Sequence, residues 1–201
     1  MNEADAVKKF VAAKLRWLSE TDSNGALGGG KKAALARLRR GVGKEAGTVP
    51  DIWQYVYESL PDILAGDTGK ALRAQNAIHT ALTLYAMHSQ GIGNAHSENA
   101  GSLGNAAKSL KMQNPDNEPG IKRRFDALAT AKTPMEISNH SRGIIQLLRQ
   151  GKVMLNYADF AKDLYWLESN REFARQVLRN WGKDFYRVNN IDENKGDSDE
   201  Q

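Results

Sequence analysis

The sequence predicts an all-α protein of two small helical lobes in a compact, bundle-like arrangement, followed by an acidic tail. Apolar residues recur at three- and four-residue steps, the period of one helical face. Residues that cap helices stand where those periods begin. No stretch sustains the apolar–polar alternation of a half-buried strand. With 201 residues, 40% of them hydrophobic, the chain can bury a real core. The expected organisation is an N-terminal lobe over 1–95, a C-terminal lobe over 96–188 and a disordered tail over 189–201.

The elements follow in order. Val7, Phe10, Val11, Leu15 and Leu18 form one face of an opening helix. Gly25 and Gly28–Gly30 break the chain, and a short basic helix follows from about Lys31 to Arg40, ended by Gly41 and Gly43. Pro50 suits the first position of a segment over Asp51–Leu60, which Pro61 interrupts. From about Lys70 to Gln90 the pattern is apolar nearly all round, so this helix should be the most buried element. A loop spans Gly91–Gly101, a short helix Ser102–Lys111, and a polar turn Gln113–Glu118. The next helix carries Ile121, Phe125 and Leu128 on one side. Thr133-Pro134-Met135-Glu136 is the clearest helix start, with threonine and glutamate placed for a reciprocal cap. That helix should run to about Gln150, with Gly151 as a left-handed end. Asn156 is placed to cap a helix through Leu167. The last helix, about Arg171–Arg187, should bury Ala174, Val177, Leu178, Trp181 and Phe185.

Composition excludes several kinds of function. There is no cysteine, so disulfides, thiolate metal sites and cysteine nucleophiles are absent. The N-terminal segment places charges through its apolar positions, as an amphipathic helix does and a secretory signal does not. The longest uncharged run, Ala74 to Ser97, holds too many amides, hydroxyls and imidazoles for lipid. The expectation is a cytoplasmic protein without a membrane partner. None of the four histidines stands in a metal-ligand spacing, no serine-nucleophile motif occurs, and Asp159 and Asp163, four apart, read as part of a helix surface. Neither a catalytic residue, nor a metal site, nor a cofactor is expected. His79 and His88 fall in the buried helix and read as core histidines bonded to neighbours.

Charge distribution points to a polyanionic partner. The chain has 28 basic and 24 acidic residues, but the tail holds five acids against Lys195 alone. The body therefore carries 27 basic and 19 acidic residues, a net +8. The first cationic group is Lys31, Lys32, Arg37, Arg39, Arg40 and Lys44, with no acid among them. Arg37 and Arg40 share a face, while Leu35 and Leu38 hold the other to the core. Such a group suits sequence-independent phosphate contact. The second is Lys122, Arg123 and Arg124, with Lys108 and Lys111 upstream on the end of another helix. Arg142 and Arg149 stand alone on an otherwise apolar helix. Arg171, Arg175, Arg179, Lys183 and Arg187 form a slanted stripe at four-residue steps, with Glu168, Glu172 and Asp184 near enough in sequence to compensate it. That stripe reads as a solvated face. Trp17, Trp53, Tyr85, Trp166, Trp181 and Phe185 sit mostly at core-facing steps and read as packing, not as base-stacking platforms.

Seven stretches stand in a distinctive order: ALARLRRGVGKEAGTVPDIW (34–53), AIHTALTLYAMHSQ (77–90), SLGNAAKSL (102–110), RRFDALATA (123–131), ISNHSRGIIQLLRQ (137–150), NYADFAKDLYWL (156–167) and VLRNWGKDFYR (177–187). Together they resemble the CasB family, the small subunit of the type I-E CRISPR complex Cascade. The resemblance covers nearly the whole chain except its tail. It implies an all-α, non-catalytic subunit that dimerises within Cascade, contacts guide RNA and neighbouring subunits, and helps hold target DNA and the displaced strand. By position, Arg37, Arg39 and Arg40 fall in the family's first basic segment, Lys122, Arg123 and Arg124 in the second, and Arg142 in the third. Where the family often has Met-His before Ser102, this chain has Ala95-His96. A competing expectation is a helical scaffold whose basic patches meet acidic protein surfaces.

Overall fold

A computed structural model describes residues 2–187, and the acidic tail expected over 189–201 lies outside them. Among the described residues the secondary structure is helical, with isolated bridges but no strand. The α-helices are α1 (Glu3–Ser19), α2 (Gly29–Arg39), α3 (Trp53–Tyr57), α4 (Gly69–His88), α5 (Leu103–Gln113), α6 (Glu118–Ala129), α7 (Pro134–Gln150), α8 (Tyr157–Leu167) and α9 (Arg171–Tyr186).

α4 is the axis of the packing, as its all-round apolarity requires. Every residue from Ala77 to Ser89 is buried, and α1, α2, α7 and α8 lie against it. At about 2 kcal/mol per fully buried aliphatic side chain, residues such as Ile78, Leu82 and Leu84 anchor the surrounding helices. α1 turns Val7, Phe10, Val11, Leu15 and Leu18 inward, the face its period marks. Its first-turn acids are tied outward, Glu3 to Lys70 at 3.0 Å and Asp5 to Lys162 at 2.7 Å. Toward the C-terminus, Phe125, Phe160, Trp181 and Phe185 join α6, α8 and α9, with ring centroids 5.5–6.4 Å apart. α5 meets α9 at Gly104, where a Cβ would fall 2.1 Å from the Trp181 carbonyl oxygen. Only hydrogen fits there. The Trp181 indole donates to Asp163 at 2.7 Å, and burial pushes that carboxyl up to about 6 despite the bond.

Local differences from the sequence reading have physical causes. The segment over 51–60 is not one helix. Pro50 opens a 3-10 turn to Ile52, α3 follows for five residues, and Ser59 takes a positive φ. Gly151 does not supply the left-handed end of α7. Its φ is −79°, and Lys152 adopts +52° instead. Lys152 and Val153 donate back to Arg149 and Leu148, the bond pattern of a Schellman end. Gly151 is required for closeness: a Cβ there would lie 2.5 Å from Leu110 of α5. The aromatic reading is corrected in part. Tyr85, Trp181 and Phe185 are buried, but Trp17 and Trp53 are 43% and 46% exposed, because α1 and α3 leave their outer edges uncovered. On α9, Ala174 and Leu178 are only partly buried.

The capping box at Thr133 and Glu136 forms with both hydrogen bonds, and Asn156 caps α8 by accepting from Asp159. The core histidines bond as their burial requires. His79 Nε2 donates to the Gly41 carbonyl at 3.0 Å. His88 Nδ1 meets the Tyr157 hydroxyl at 3.0 Å, and that hydroxyl donates to Leu84. Burial lowers His88 to about 4, so it is neutral near pH 7. His96 fastens the loop before α5: its Nδ1 accepts from the Tyr157 amide at 3.2 Å.

Candidate nucleic-acid interface

α2 begins at its glycines and packs Ala34, Leu35 and Leu38 inward, so its cations are forced outward. They meet different fates. Lys31 donates to the Glu20 carboxylate at 2.6 Å and to the Glu20 carbonyl at 2.9 Å, clasping α2 to α1. Arg40 pairs with Asp51 at 2.7 Å. Lys32 and Lys44 pair with no acid among the described residues. Among the described residues Arg37 reaches only the Tyr55 hydroxyl, at 3.5 Å. Arg37 and Arg40 line one shallow depression with Asp51 and Gln54, the common face their spacing marks.

The other face of α2 leads to a seam over α4. Arg39 is half-buried and donates to the Ala86 carbonyl at 3.5 Å. After α2 the chain turns at Gly41, whose Cβ would strike Ile52 and Thr83, and Gly43 then abuts α7. A Cβ on Gly43 would lie 3.8 Å from the Arg142 guanidinium and 3.6 Å from the Asn139 amide oxygen. α7 packs along α4: Ser138 shares a cavity with Asn76 and His79, and Arg149 donates to Gln90 at 3.3 Å, just beyond α4. Arg124 of α6 lies across α7, with its Cδ 3.7 Å from a Cβ on Gly143. Arg39, Lys44, Arg124, Arg142 and Arg149, from three separate stretches of sequence, thus border one region around α7 and the C-terminal half of α4. Among the described residues none of the five forms an ion pair. Lys44 also rims a cavity of about 360 Å³ with Asn76, His79, Thr80 and Ser138.

The rest of the second group is more dispersed. Lys122 pairs with Asp126 along its own helix, Arg123 is exposed, and Arg124 donates to the Gly120 carbonyl at 3.1 Å. Lys108 and Lys111 lie on α5. Lys111 pairs with Glu118 at 2.6 Å and stands over the Phe185 ring.

The α9 stripe is where sequence proximity misleads. Asp184 accepts from Ser102 at 2.5 Å, and Glu168 accepts from Asn76 at 3.1 Å. Both therefore face inward, and burial raises Glu168 to about 7. Among the described residues Arg171, Arg175, Arg179, Lys183 and Arg187 form no ion pair, and all five are exposed. Among the described residues none of Glu168, Glu172 and Asp184 forms an ion pair with the stripe. Since the core residues Val177, Trp181 and Phe185 stand two positions from Arg175, Arg179 and Lys183, the cations point about 200° away from the core. Steps of about 6 Å along the axis make a ridge. The signal was in the sequence, in the common four-residue period of the apolar and cationic sets.

Among the described residues no group of side chains is arranged to hold a metal ion. No described helix is long and apolar enough to cross a membrane.

Comparison with known proteins agrees with this architecture. The structure is similar to that of CasB from Thermobifida fusca, with a TM-score of 0.74 and 29% identity, covering 90% of this chain and 98% of that one. It is also similar in fold to CasB from Thermus thermophilus, with a TM-score of 0.66, 20% identity, and coverage of 92% and 99%. A second Thermus thermophilus structure, of a CRISPR-associated protein of the Cse2 family, gives a TM-score of 0.63 at the same identity and coverage. Curated protein sequences gave no match. Residues 34–186 match the model of the CRISPR-associated protein Cse2, and this chain belongs to that family.

Proposed function

We propose that this chain is the non-catalytic small subunit of a Cascade-type RNA-guided complex, and that it grips sugar–phosphate backbones without reading or cutting them. Membership of the Cse2 family supports a place among other Cas proteins. The observation that carries the backbone reading is the convergence of Arg39, Lys44, Arg142 and Arg149 along α4 without an acid partner among the described residues. Held on packed helices, such cations offer phosphate oxygens fixed positions and no pattern for base edges. The partners in this reading are guide RNA, target DNA and the displaced strand, with the subunit self-associating as a dimer in the cytoplasm. Strand exchange in RNA-guided recognition is nearly balanced in free energy, so holding the displaced strand biases it toward the open state. That is a contribution to antiviral defence made by binding alone.

The test is a salt titration of single-strand affinity for the Arg39→Gln/Arg142→Gln/Arg149→Gln variant. Loss of three phosphate contacts should flatten the log–log slope by about 2. A variant of wild-type affinity and slope overturns the site. Retained oligonucleotide binding with loss of co-purifying Cas proteins would favour a scaffold for acidic protein surfaces instead.

A further inference from the structure

We propose that the groove between α1, α2 and α3 takes one unpaired nucleobase of a single strand, stacked against Trp17 and Tyr55, with the adjoining phosphate on Arg37. This deepens the backbone reading above and rests on it.

The groove encloses about 660 Å³, within the range of small-molecule sites. Phe10 contributes its floor. One wall is the Trp17–Tyr55 pair, centroids 6.2 Å apart and planes 26° from parallel. Trp17 keeps 43% of its surface exposed, a large apolar area to leave in water on a helix whose other face packs well. The space opposite exists because α2 presents Gly30 and Ala33 there, and a Cβ on Gly30 would meet nothing within 4 Å. The charge at the rim favours an anion. Lys14 and Arg37 stand against Glu58, and Lys14 is itself held by the Glu58 carbonyl at 2.9 Å. Arg37 pairs with no acid among the described residues, and its only hydrogen bond there is to the Tyr55 hydroxyl. It also opens onto the depression where Arg40 pairs with Asp51, so Arg37 stands between the two hollows.

A flat ring laid against an aromatic wall, with a guanidinium at its edge, is an arrangement by which proteins hold unpaired bases regardless of identity. A peptide fits less well. Its backbone amides would need a continuous row of partners, and besides the rim charges the lining offers only Gln54 and Ser59 among aromatic faces and alanine methyls. A base can turn its polar edge to water.

Fluorescence anisotropy on the full-length protein tests this with three labelled probes: a single-stranded DNA dodecamer, an abasic phosphodiester of equal length, and the duplex. Tryptophan emission is followed in parallel. Trp17→Leu should weaken dodecamer binding about tenfold and leave the abasic strand within about twofold. Trp17→Phe, which keeps a stacking ring, should restore most of the loss. Arg37→Gln should weaken both single strands. The dodecamer alone should quench the emission that Trp17→Leu removes. Equal affinity of wild type and Trp17→Leu for the dodecamer overturns the proposal. So does an equal loss on the abasic strand. In either case salt-dependent binding of the abasic strand by wild type leaves the backbone reading standing. Loss of a co-purifying protein by Trp17→Leu with unchanged oligonucleotide affinity also overturns it, and assigns the groove to a protein partner. A wild type that binds neither single strand overturns both readings.

Discussion

The basic cluster of α2 and the ridge of α9 exchange roles between sequence and structure. The α2 cluster has no acid within its fourteen residues, yet Lys31 finds Glu20 and Arg40 finds Asp51. The α9 stripe has acids on and beside it, yet Glu168 and Asp184 turn inward to Asn76 and Ser102, and among the described residues no acid, the exposed Glu172 included, forms an ion pair with it. Two of the α2 cations thus act as clasps. Those of α9 stand exposed, without an ion pair among the described residues. Spacing along the chain reports which residues share a helix face, but the partner of a long side chain is decided by what packs beside that helix.

The contrast can be broken by removing what seats the ridge. Trp181→Ala should cost about 3–5 kcal/mol in urea unfolding, because the indole is fully buried among Phe125 and Phe160 and its N–H satisfies Asp163. A cost below about 1 kcal/mol would mean α9 is held elsewhere. On the seam side, His88 sets a pH limit. Its folded pKa is depressed to about 4, so its contribution is complete above the unfolded value near 6.5 and is lost as pH falls toward 4. That loss is about 3 kcal/mol at most. It is read as a stability difference between wild type and His88→Gln that shrinks over this window. Glu168 works in the opposite sense. Raised to about 7, it favours the folded state most fully below about 4.5 and ceases to do so as pH rises through 7.

Gly104→Ala should cost about 1–3 kcal/mol, since α5 and α9 must separate to admit a methyl against the Trp181 carbonyl. An unchanged melting temperature would show that this contact gives way freely. The smallest effects sharpen the comparison because they differ in sign. Arg179→Gln should stabilise the free protein by about 0.2–0.5 kcal/mol through relief of repulsion at four-residue spacing. Arg40→Gln should lose about as much with its exposed partner Asp51. Added salt should erase both differences in thermal unfolding.

The fold was legible because periodicity and caps are local. The face of α1, the capping box of α7 and the burial of α4 follow from residue order alone. The interface was legible only as a set of stretches. Nothing in the order of residues indicates that the turn at Gly43 touches Arg142, or that Arg39 and Arg149 reach the end of α4 from different helices, since such meetings are fixed by helix crossings. Trp17 and Trp53 misled for a related reason: they sit at the outer edges of α1 and α3, which no neighbouring helix covers. Alanine and glycine across the groove are the clue that α2 does not fill it.

At the end of α7, two demands fall on adjacent residues and only one of them is met by a glycine. Gly151 answers the nearness of Leu110, so the backward twist passes to Lys152 at φ 52°. A lysine in that conformation is disfavoured by about 1–2 kcal/mol. The position of α5 is therefore privileged over the comfort of the following turn, and a natural variant with glycine at both places would hold the same outline with less tension.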